Sequence, residues 1–203
     1  TRVARTVSER KRAHGADGDA LDLVIVGAGP AGLACALEAK RLGLDFVVLE
    51  QGDAVGGTVA KYPRHKLVLS EPVELPLYGR MKKRSYQKEE LIELWQSLAR
   101  DHALPIHTER SFLALDEDDE AYIVETQTHS YRTLSVCIAV GRRGTPRSLG
   151  VPGEELPHVA NGLIDASSYA GRHGGRGGAR ARRATRHASH ARRARHGLPQ
   201  DSQ

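Results

Sequence analysis

The chain has 203 residues, of which 39% are hydrophobic and 27% charged, and its formal net charge is +5 at pH 7. Nine of the 30 Lys and Arg residues but only one of the 25 Asp and Glu residues lie in residues 171–203, so residues 1–170 carry a net charge of −3 and are not expected to bind nucleic acid. No apolar run approaches the roughly 18 residues of a membrane span and no signal peptide is evident, so the sequence predicts a cytoplasmic protein outside the membrane.

Residues 1–20 are polar and predict a solvated linker. A transit peptide is the alternative, but Glu9, Asp17 and Asp19 depart from the acid-poor pattern of such peptides.

The stretch over residues 21–32 reads L-D-L-V-I-V-G-A-G-P-A-G. Leu23 to Val26 is typical of a buried parallel strand, and a helical pattern follows over residues 31–41. Glycines at the G-x-G-x-x-G spacing allow a tight turn, close approach of a pyrophosphate, and close packing of helix on strand. The N–H groups and the positive end of the helix then face the phosphates. The turn consists of Gly27, Ala28, Gly29, Pro30, Ala31 and Gly32.

An acidic residue follows at the separation that a dinucleotide site requires. A second strand is predicted over 45–49, and Glu50 follows it, 18 residues after Gly32. About 20 residues usually separate the glycine turn from the carboxylate that binds a ribose hydroxyl. Strand, turn, helix and acid together predict dinucleotide binding. The alternative, a tight turn in another α/β protein, leaves Glu50 without a role.

A second glycine cluster, Gly56-Gly57-Thr58, lies in the loop after Glu50 and Gln51. A nicotinamide-binding domain has no particular need of a glycine pair here. A flavin domain often has one, because the isoalloxazine and the ribityl chain pass over this loop. The cluster therefore favours FAD over NAD(P) in this half, and the alternative is an ordinary glycine-rich surface loop.

The remaining residues complete an α/β pattern. Residues 61–84 are predicted to be irregular, with the basic group at 82–84 on a solvated face. Residues 88–103 predict an amphipathic helix with Trp95 in the core. A strand at 104–107, an antiparallel meander over 111–134 with an acidic hairpin tip at 116–120, and a buried strand at 135–140 follow. Cys35 and Cys137 show no metal or disulfide spacing and are interpreted as small buried residues.

These motifs resemble those of flavoprotein reductases with two dinucleotide-binding domains, similar to thioredoxin reductase and to bacillithiol-disulfide-reductase-like proteins. The resemblance covers about residues 21–173. It implies an α/β, Rossmann-like FAD-binding domain over 21–150, with a parallel sheet, crossover helices and a β-meander. Residues 151–173 would lead toward an NAD(P)-binding domain. The motifs are V-I-V-G-A-G-P-A-G at 24–32, Glu50, Gly56-Gly57-Thr58, I-A-V-G-R-R-G-T-P-R at 138–147 and G-V-P-G-E at 150–154.

The resemblance also implies roles. The turn at 27–32 would hold the FAD pyrophosphate, and Glu50, with Gln51 beside it, the adenosine ribose. Residues 56–58 would line the path to the flavin, and Ala139 and Gly141 would lie beside the cofactor. In such families NAD(P)H on the second domain reduces the flavin, and a small-molecule or protein disulfide, or another acceptor, takes the electrons. A homodimer is compatible with the complete enzyme. No metal site and no catalytic acid, base or nucleophile is identified; the alternatives are a flavin monooxygenase and a non-catalytic nucleotide-binding fragment.

The chain departs from this family in three ways. No redox-active cysteine pair lies near Gly57. Both the second glycine fingerprint expected after Gly171 and the later return to the FAD domain are missing. Residues 174–203 are a low-complexity tail of Arg, Gly, Ala and His, predicted to be disordered because it lacks the apolar residues of a core. A reading-frame shift near His173 is the preferred explanation, and a nucleic-acid-binding tail is the alternative. The sequence therefore predicts a truncated enzyme.

Overall fold

A computed structural model describes residues 4–9, 20–69, 71–118, 120–142, 148, 150–156, 159 and 165. The predicted tail, most of the 151–173 connection and most of the 1–20 linker lie outside the described residues. The chain divides into two units, residues 1–164 and residues 165–203, and the description below concerns the first unit.

Three helices lie C-terminal to the first strand in the described part of the chain. They are α1 (Pro30–Arg41), α2 (Gly57–Ala60) and α3 (Lys88–Asp101). The strands, in chain order, are β1 (Leu23–Val26), β2 (Phe46–Leu49), β3 (Leu67–Leu69), β4 (Val73–Leu75), β5 (Gly79–Met81), β6 (Ser85–Gln87), β7 (Ile106–His107), β8 (Phe112–Glu117), β9 (Tyr122–Thr126), β10 (Ser130–Thr133) and β11 (Val136–Ile138).

Four of these strands form a parallel sheet with the order β11-β1-β2-β7. From β1 the chain moves outward through β2 to β7, and β11 then pairs with the opposite side of β1. The strand order therefore reverses between β1 and β11. In open α/β sheets, ligands bind beyond the carboxyl ends of the strands at such a reversal. The turn at 27–32 follows β1 at this point, so the fold places the glycine motif where a ligand is expected.

The two faces of the sheet are covered differently, as the alternation of side chains along a strand requires. Leu23 and Ile25 of β1 pack with the helices in the larger core cluster. Val24 and Val26 pack with the meander, including the fully buried Val124, in a smaller cluster. The result is three layers, with helices, parallel sheet and meander, as the Rossmann-like prediction requires.

The amphipathic helix and the meander are confirmed. Leu91, Trp95 and Leu98 of α3 are buried in the larger core cluster, and burial of each such side chain contributes about 1.5–3 kcal/mol. The antiparallel order β10-β9-β8 matches the predicted meander, but β8 continues through Asp116 and Glu117. The hairpin tip is therefore shorter than the run of acids suggested.

The prediction of irregular structure over residues 61–84 is wrong. β3 pairs with β6 and β4 pairs with β5, so one two-stranded hairpin is nested within another. Each strand has only three residues, which is too short for its alternation to be recognised in the sequence. The basic residues at 82–84 are exposed, as predicted.

Part of the segment predicted as a polar linker is ordered. Residues 4–9 are helical, and Ala4 and Val7 are buried in the larger core cluster. Arg5 Nε donates to Glu38 Oε1 at 3.1 Å. Arg41 also contacts this carboxylate: its Nε donates to Glu38 Oε2 at 2.8 Å, and its Nη2 donates to Glu38 Oε1 at 2.9 Å. The segment therefore joins the core through its hydrophobic positions and contacts α1 through Arg5.

We expect the stability of the protein to depend on Glu38 in a pH-dependent way. The hydrogen bonds of Arg41, together with those of Arg5, outweigh burial and lower the pKa of Glu38 from 4.5 to about 2. Because the folded-state pKa is depressed, this stabilisation is complete above pH 4.5 and is lost as the pH falls through about 2. Glu38→Gln should lower the free energy of unfolding by about 1–2 kcal/mol at neutral pH. Urea unfolding at several pH values measures this, and a deficit that persists unchanged into strong acid would contradict it.

Candidate nucleotide-binding site

The first glycine of the motif brings the turn against the end of β11. Gly27 has a φ of +106°, which side-chain-bearing residues rarely adopt, and its N–H donates to Leu49 O at 2.7 Å. A Cβ at this position would lie 2.6 Å from Ala139 O. Glycine is therefore required both by the backbone conformation and by the close approach of the two segments.

Gly29 and Gly32 face different surroundings. Gly29 is the N-cap of α1 with extended backbone, no side chain caps this end of the helix, and Pro30 follows as the first helical residue. A Cβ on Gly29 would meet nothing within 4 Å, so the space in front of the helix is open. A Cβ on Gly32 would lie 1.8 Å from Gly27 O. Gly32 is therefore required for close packing of α1 on the turn, whereas the position of Gly29 faces open space.

Glu50 is held against the same turn. Its side chain is buried, and Oε2 accepts a hydrogen bond from Ala28 N at 2.8 Å, while Oε1 accepts one from Gly52 N at 2.9 Å. An ionised carboxylate has about four acceptor sites, so roughly two remain for a ligand hydroxyl. The carboxylate therefore lies beside the glycine turn, as the separation in the sequence predicts.

The second glycine cluster lies directly on the first. Gly56 is in the left-handed region with a φ of +117°, and its N–H donates to Ala28 O at 2.9 Å. A Cβ on Gly57 would lie 3.2 Å from Gly29 Cα. Thr58 is half-buried in the short helix α2, and Gln51 is exposed. The structure therefore brings the two glycine clusters together, which the sequence indicated only by analogy.

The end of β11 forms the other wall of the crevice. Ala139 N donates to Val26 O at 2.8 Å, and the Ala139 Cβ would lie 3.5 Å from a Cβ on Gly32. Gly141 follows with a φ of +72° and open space around it. All the predicted site residues therefore belong to three segments that meet at the carboxyl end of β1.

The structure shows one contact with Glu50 that the sequence analysis missed. Arg110 N donates to Glu50 O at 2.8 Å, and Glu109 N donates to Gly52 O at 2.9 Å. Among the described residues, Arg110 Nε is buried without a hydrogen-bond partner. No spacing rule connects residue 110 with residue 50. Their contact follows from the pairing of β7 with β2, which is not visible in the sequence.

An apolar cavity of about 390 Å³ lies between α1 and α3, and its lining includes Pro30 and Ala31 of the glycine turn. Leu37, Trp95, Leu98 and Met81 contribute to its wall, and Glu50 does not. Its lining offers no carboxylate or other charged side chain, so this cavity lacks the groups that would recognise a ribose or a phosphate.

Other kinds of site find no support among the described residues. Within the described ranges, no three His, Cys, Asp or Glu side chains are arranged to hold a metal ion. None of the helices in the described part of the chain is long and apolar enough to cross a bilayer.

Comparison with known proteins gives results consistent with a nucleotide-binding crevice. A family model described as pyridine nucleotide-disulphide oxidoreductase matches residues 24–173. The chain is 31% identical over 150 residues to a ferredoxin–NADP reductase of Ignicoccus hospitalis, and 26% identical over 150 residues to bacilliredoxin reductase Bdr of Bacillus subtilis. These alignments cover 74% and 72% of this chain but 46% of each relative. The chain therefore spans about half the length of these relatives.

Solved structures show the same fold. Bacillithiol disulfide reductase Bdr from Staphylococcus aureus superimposes with a TM-score of 0.55 at 24% identity, covering 68% of this chain and 44% of that one. A flavin-containing monooxygenase from Stenotrophomonas maltophilia gives a TM-score of 0.54 at 20% identity, covering 64% and 42%. At these identities the likeness concerns the fold alone.

The family match begins within β1 and continues past β11, so it includes both glycine clusters, Glu50 and Ala139. The resemblance that the motifs indicated is thereby confirmed: the chain belongs to the pyridine nucleotide-disulphide oxidoreductase family.

Proposed function

We propose that this chain binds FAD and forms the FAD-binding half of an NAD(P)H-dependent oxidoreductase. The observation that carries the proposal is the Glu50 carboxylate, which lies 2.8 Å from Ala28 N beside the open N-terminus of α1. An uncapped helix N-terminus suits a diphosphate, and a carboxylate with free acceptor sites suits ribose hydroxyls. Both groups occur in one crevice at the reversal of strand order.

The residues that line the crevice fit the successive parts of FAD. The open space in front of Gly29 leaves room for a diphosphate against the backbone, and the helix dipole of α1 stabilises its charge. Glu50 accepts hydrogen bonds from the adenosine ribose. Gly56, Gly57 and Thr58 line the path toward the flavin, and Ala139 and Gly141 form its other side.

FAD, when bound, supplies two-electron redox chemistry, and the chain's contribution is to bind and orient it. The Glu50 carboxylate is kept in place by two backbone N–H groups, so it is preorganised for the ribose. Gly57 lies close to Gly29, so the second loop would hold the cofactor beside the glycine turn. No described residue is assigned as an acid, base or nucleophile.

The reductant and the electron acceptor of the proposed reaction are inferred from the relatives. The name of one relative, a ferredoxin–NADP reductase, and the description of the family support NAD(P)H as the reductant. The family description also supports a small-molecule or protein disulfide as the acceptor, and another acceptor is the alternative. A homodimer for the complete enzyme and a cytoplasmic location belong to the same proposal. The monooxygenase alternative has only fold likeness in its favour.

The absorption spectrum of the purified chain, recorded with and without added FAD and NADPH, tests this function. We expect a bound-flavin spectrum after addition of FAD and removal of free cofactor. We expect no bleaching by NADPH, because a second glycine fingerprint is not found in the sequence. Bleaching would show a working nicotinamide site in this chain. A protein that stays colourless after FAD is added would contradict the proposal.

Glu50→Gln should weaken FAD binding by about 10- to 100-fold, because hydrogen bonds to a charged acceptor contribute about 1.5–3 kcal/mol each. Quenching of flavin fluorescence in a titration measures the affinity. Glu38→Gln is the matched control, since Glu38 is also a buried carboxylate but lies on α1 and is hydrogen-bonded to Arg5 and Arg41. The control should bind FAD normally. Equal affinity of the two variants for FAD would show that Glu50 does not contribute to the binding site.

A further inference from the structure

The two cysteines of the chain, for which the sequence analysis found no disulfide spacing, pack in the same core cluster. Cys35 lies on α1 and Cys137 on β11, and a side-chain hydrogen bond from Cys35 lowers the pKa of the Cys137 thiol. Cys137 is in register with Ile25 of β1, whose side chain points toward the helices. Side chains in register on neighbouring strands share a face, so Cys137 also points toward α1.

The contact follows from the tight packing of α1 on the sheet. At Gly32 the helix approaches β11 so closely that a Cβ there would lie 3.5 Å from the Ala139 Cβ. Cys35 is one helical turn beyond Gly32, and Cys137 is two residues before Ala139, on the same face of the strand. Disulfides require Cα atoms about 4.4–6.8 Å apart, and close approach of helix and strand is the condition for such a separation.

The two thiols differ in access. Cys35 is 2% exposed and belongs to the core, whereas Cys137 is half-buried on the outermost described strand of the sheet. The hydrogen bond from Cys35 outweighs burial and lowers the pKa of Cys137 to about 7. The lowered pKa favours the Cys137 thiolate, which is the form that reacts with disulfides. Cys137 is the expected site of first attack, and Cys35 is placed to resolve it.

We propose that Cys35 and Cys137 form a reactive dithiol that a low-molecular-weight disulfide oxidises to an intramolecular disulfide between α1 and β11. The Cys137 thiolate attacks one sulfur of the reagent, forming a mixed disulfide and releasing one small thiolate. The Cys35 sulfur then attacks the Cys137 sulfur, and a second small thiolate leaves. The two protons from the cysteine thiols end on the two released thiols, and the reagent is reduced as the protein is oxidised.

The crosslink joins the helix that begins at the glycine turn to the strand that forms the opposite wall of the crevice. It does not depend on the binding of FAD, so its test and the test of the proposed function can fail separately. Because Cys35 is inaccessible to a large partner, the pair acts on a small reagent and not as a dithiol that reduces a protein substrate directly.

The test treats the reduced full chain with 2,2′-dithiodipyridine, whose thione product is measured by absorbance. One equivalent of reagent per chain should release two equivalents of thione, because internal attack expels the first adduct. The intact mass should then be lower by two hydrogens, with no adduct retained, and dithiothreitol should restore it. Non-reducing electrophoresis should show a monomer. Retention of one or two adducts by the unsubstituted protein, or a crosslinked dimer, would overturn the proposal.

Two variants separate the roles of the thiols. Cys35→Ala should react at Cys137, release one equivalent of thione and keep the adduct, because no second thiol can resolve it. Cys137→Ser should react more slowly than the unsubstituted protein by a factor of about ten or more, because its remaining thiol, that of Cys35, is buried. If Cys137→Ser reacted as fast as the unsubstituted protein, Cys137 would not be the site of first attack. The result for the unsubstituted protein stands even if either variant fails to fold.

Discussion

Replacing Gly29 with valine should leave the protein folded and lower its affinity for FAD by about 100-fold or more, equivalent to roughly 2.7 kcal/mol. The backbone of Gly29 is extended, with a φ of −76°, so valine adopts it without strain. A Cβ there meets no protein atom within 4 Å and instead enters the space assigned to the diphosphate. The measurements are a fluorescence titration with FAD and a thermal unfolding curve.

Gly29→Ala extends this test, since a single methyl group should weaken binding less than the branched valine side chain does. Normal FAD affinity in both variants would show that the diphosphate does not approach the backbone at this turn. Loss of the folded structure in Gly29→Val would show that the space is needed by the protein itself.

Replacing Gly32 with alanine should instead strongly destabilise the fold. The added Cβ would lie 1.8 Å from Gly27 O, and since both partners are backbone atoms of a tightly packed turn, neither can move away cheaply. Overpacking that forces backbone shifts costs about 1–3 kcal/mol or more, a large part of the usual 5–15 kcal/mol of total stability. Circular dichroism and limited proteolysis in the absence of FAD measure the effect.

Gly29→Ala is also the matched control for this prediction, because it is the same substitution three residues earlier in the same motif. We expect a nearly unchanged unfolding midpoint for the control and a large decrease for Gly32→Ala. A normal midpoint in Gly32→Ala would mean that α1 does not pack on the turn as closely as the structure indicates.

The sequence was sufficient where the pattern is local and long enough to repeat. β1 was predicted with its observed bounds, and α1 was predicted within one residue, because an apolar run, a glycine turn and a helical period follow each other without a break. The position of Glu50 followed from its separation from the motif, and its orientation toward Ala28 N agrees with that role. These features depend on neighbours within a single strand–helix–strand unit.

The features that the sequence did not reveal depend on contacts between distant segments. The nested hairpins β3 to β6 consist of three-residue strands whose pairing is tertiary. Arg110 reaches Glu50 only because β7 pairs with β2. Cys35 and Cys137 come together only because α1 packs on the sheet beside β11, and no periodicity within either element encodes that packing.

The central claim is that the adenosine diphosphate part of FAD binds at the N-terminus of α1 and at Glu50. Competition between FAD and its two halves tests it most directly. The claim predicts that the chain binds FAD, that ADP displaces it, and that FMN, which lacks the adenosine, binds far more weakly. Binding of FMN as tight as that of FAD, with no displacement of FAD by ADP, would contradict the account.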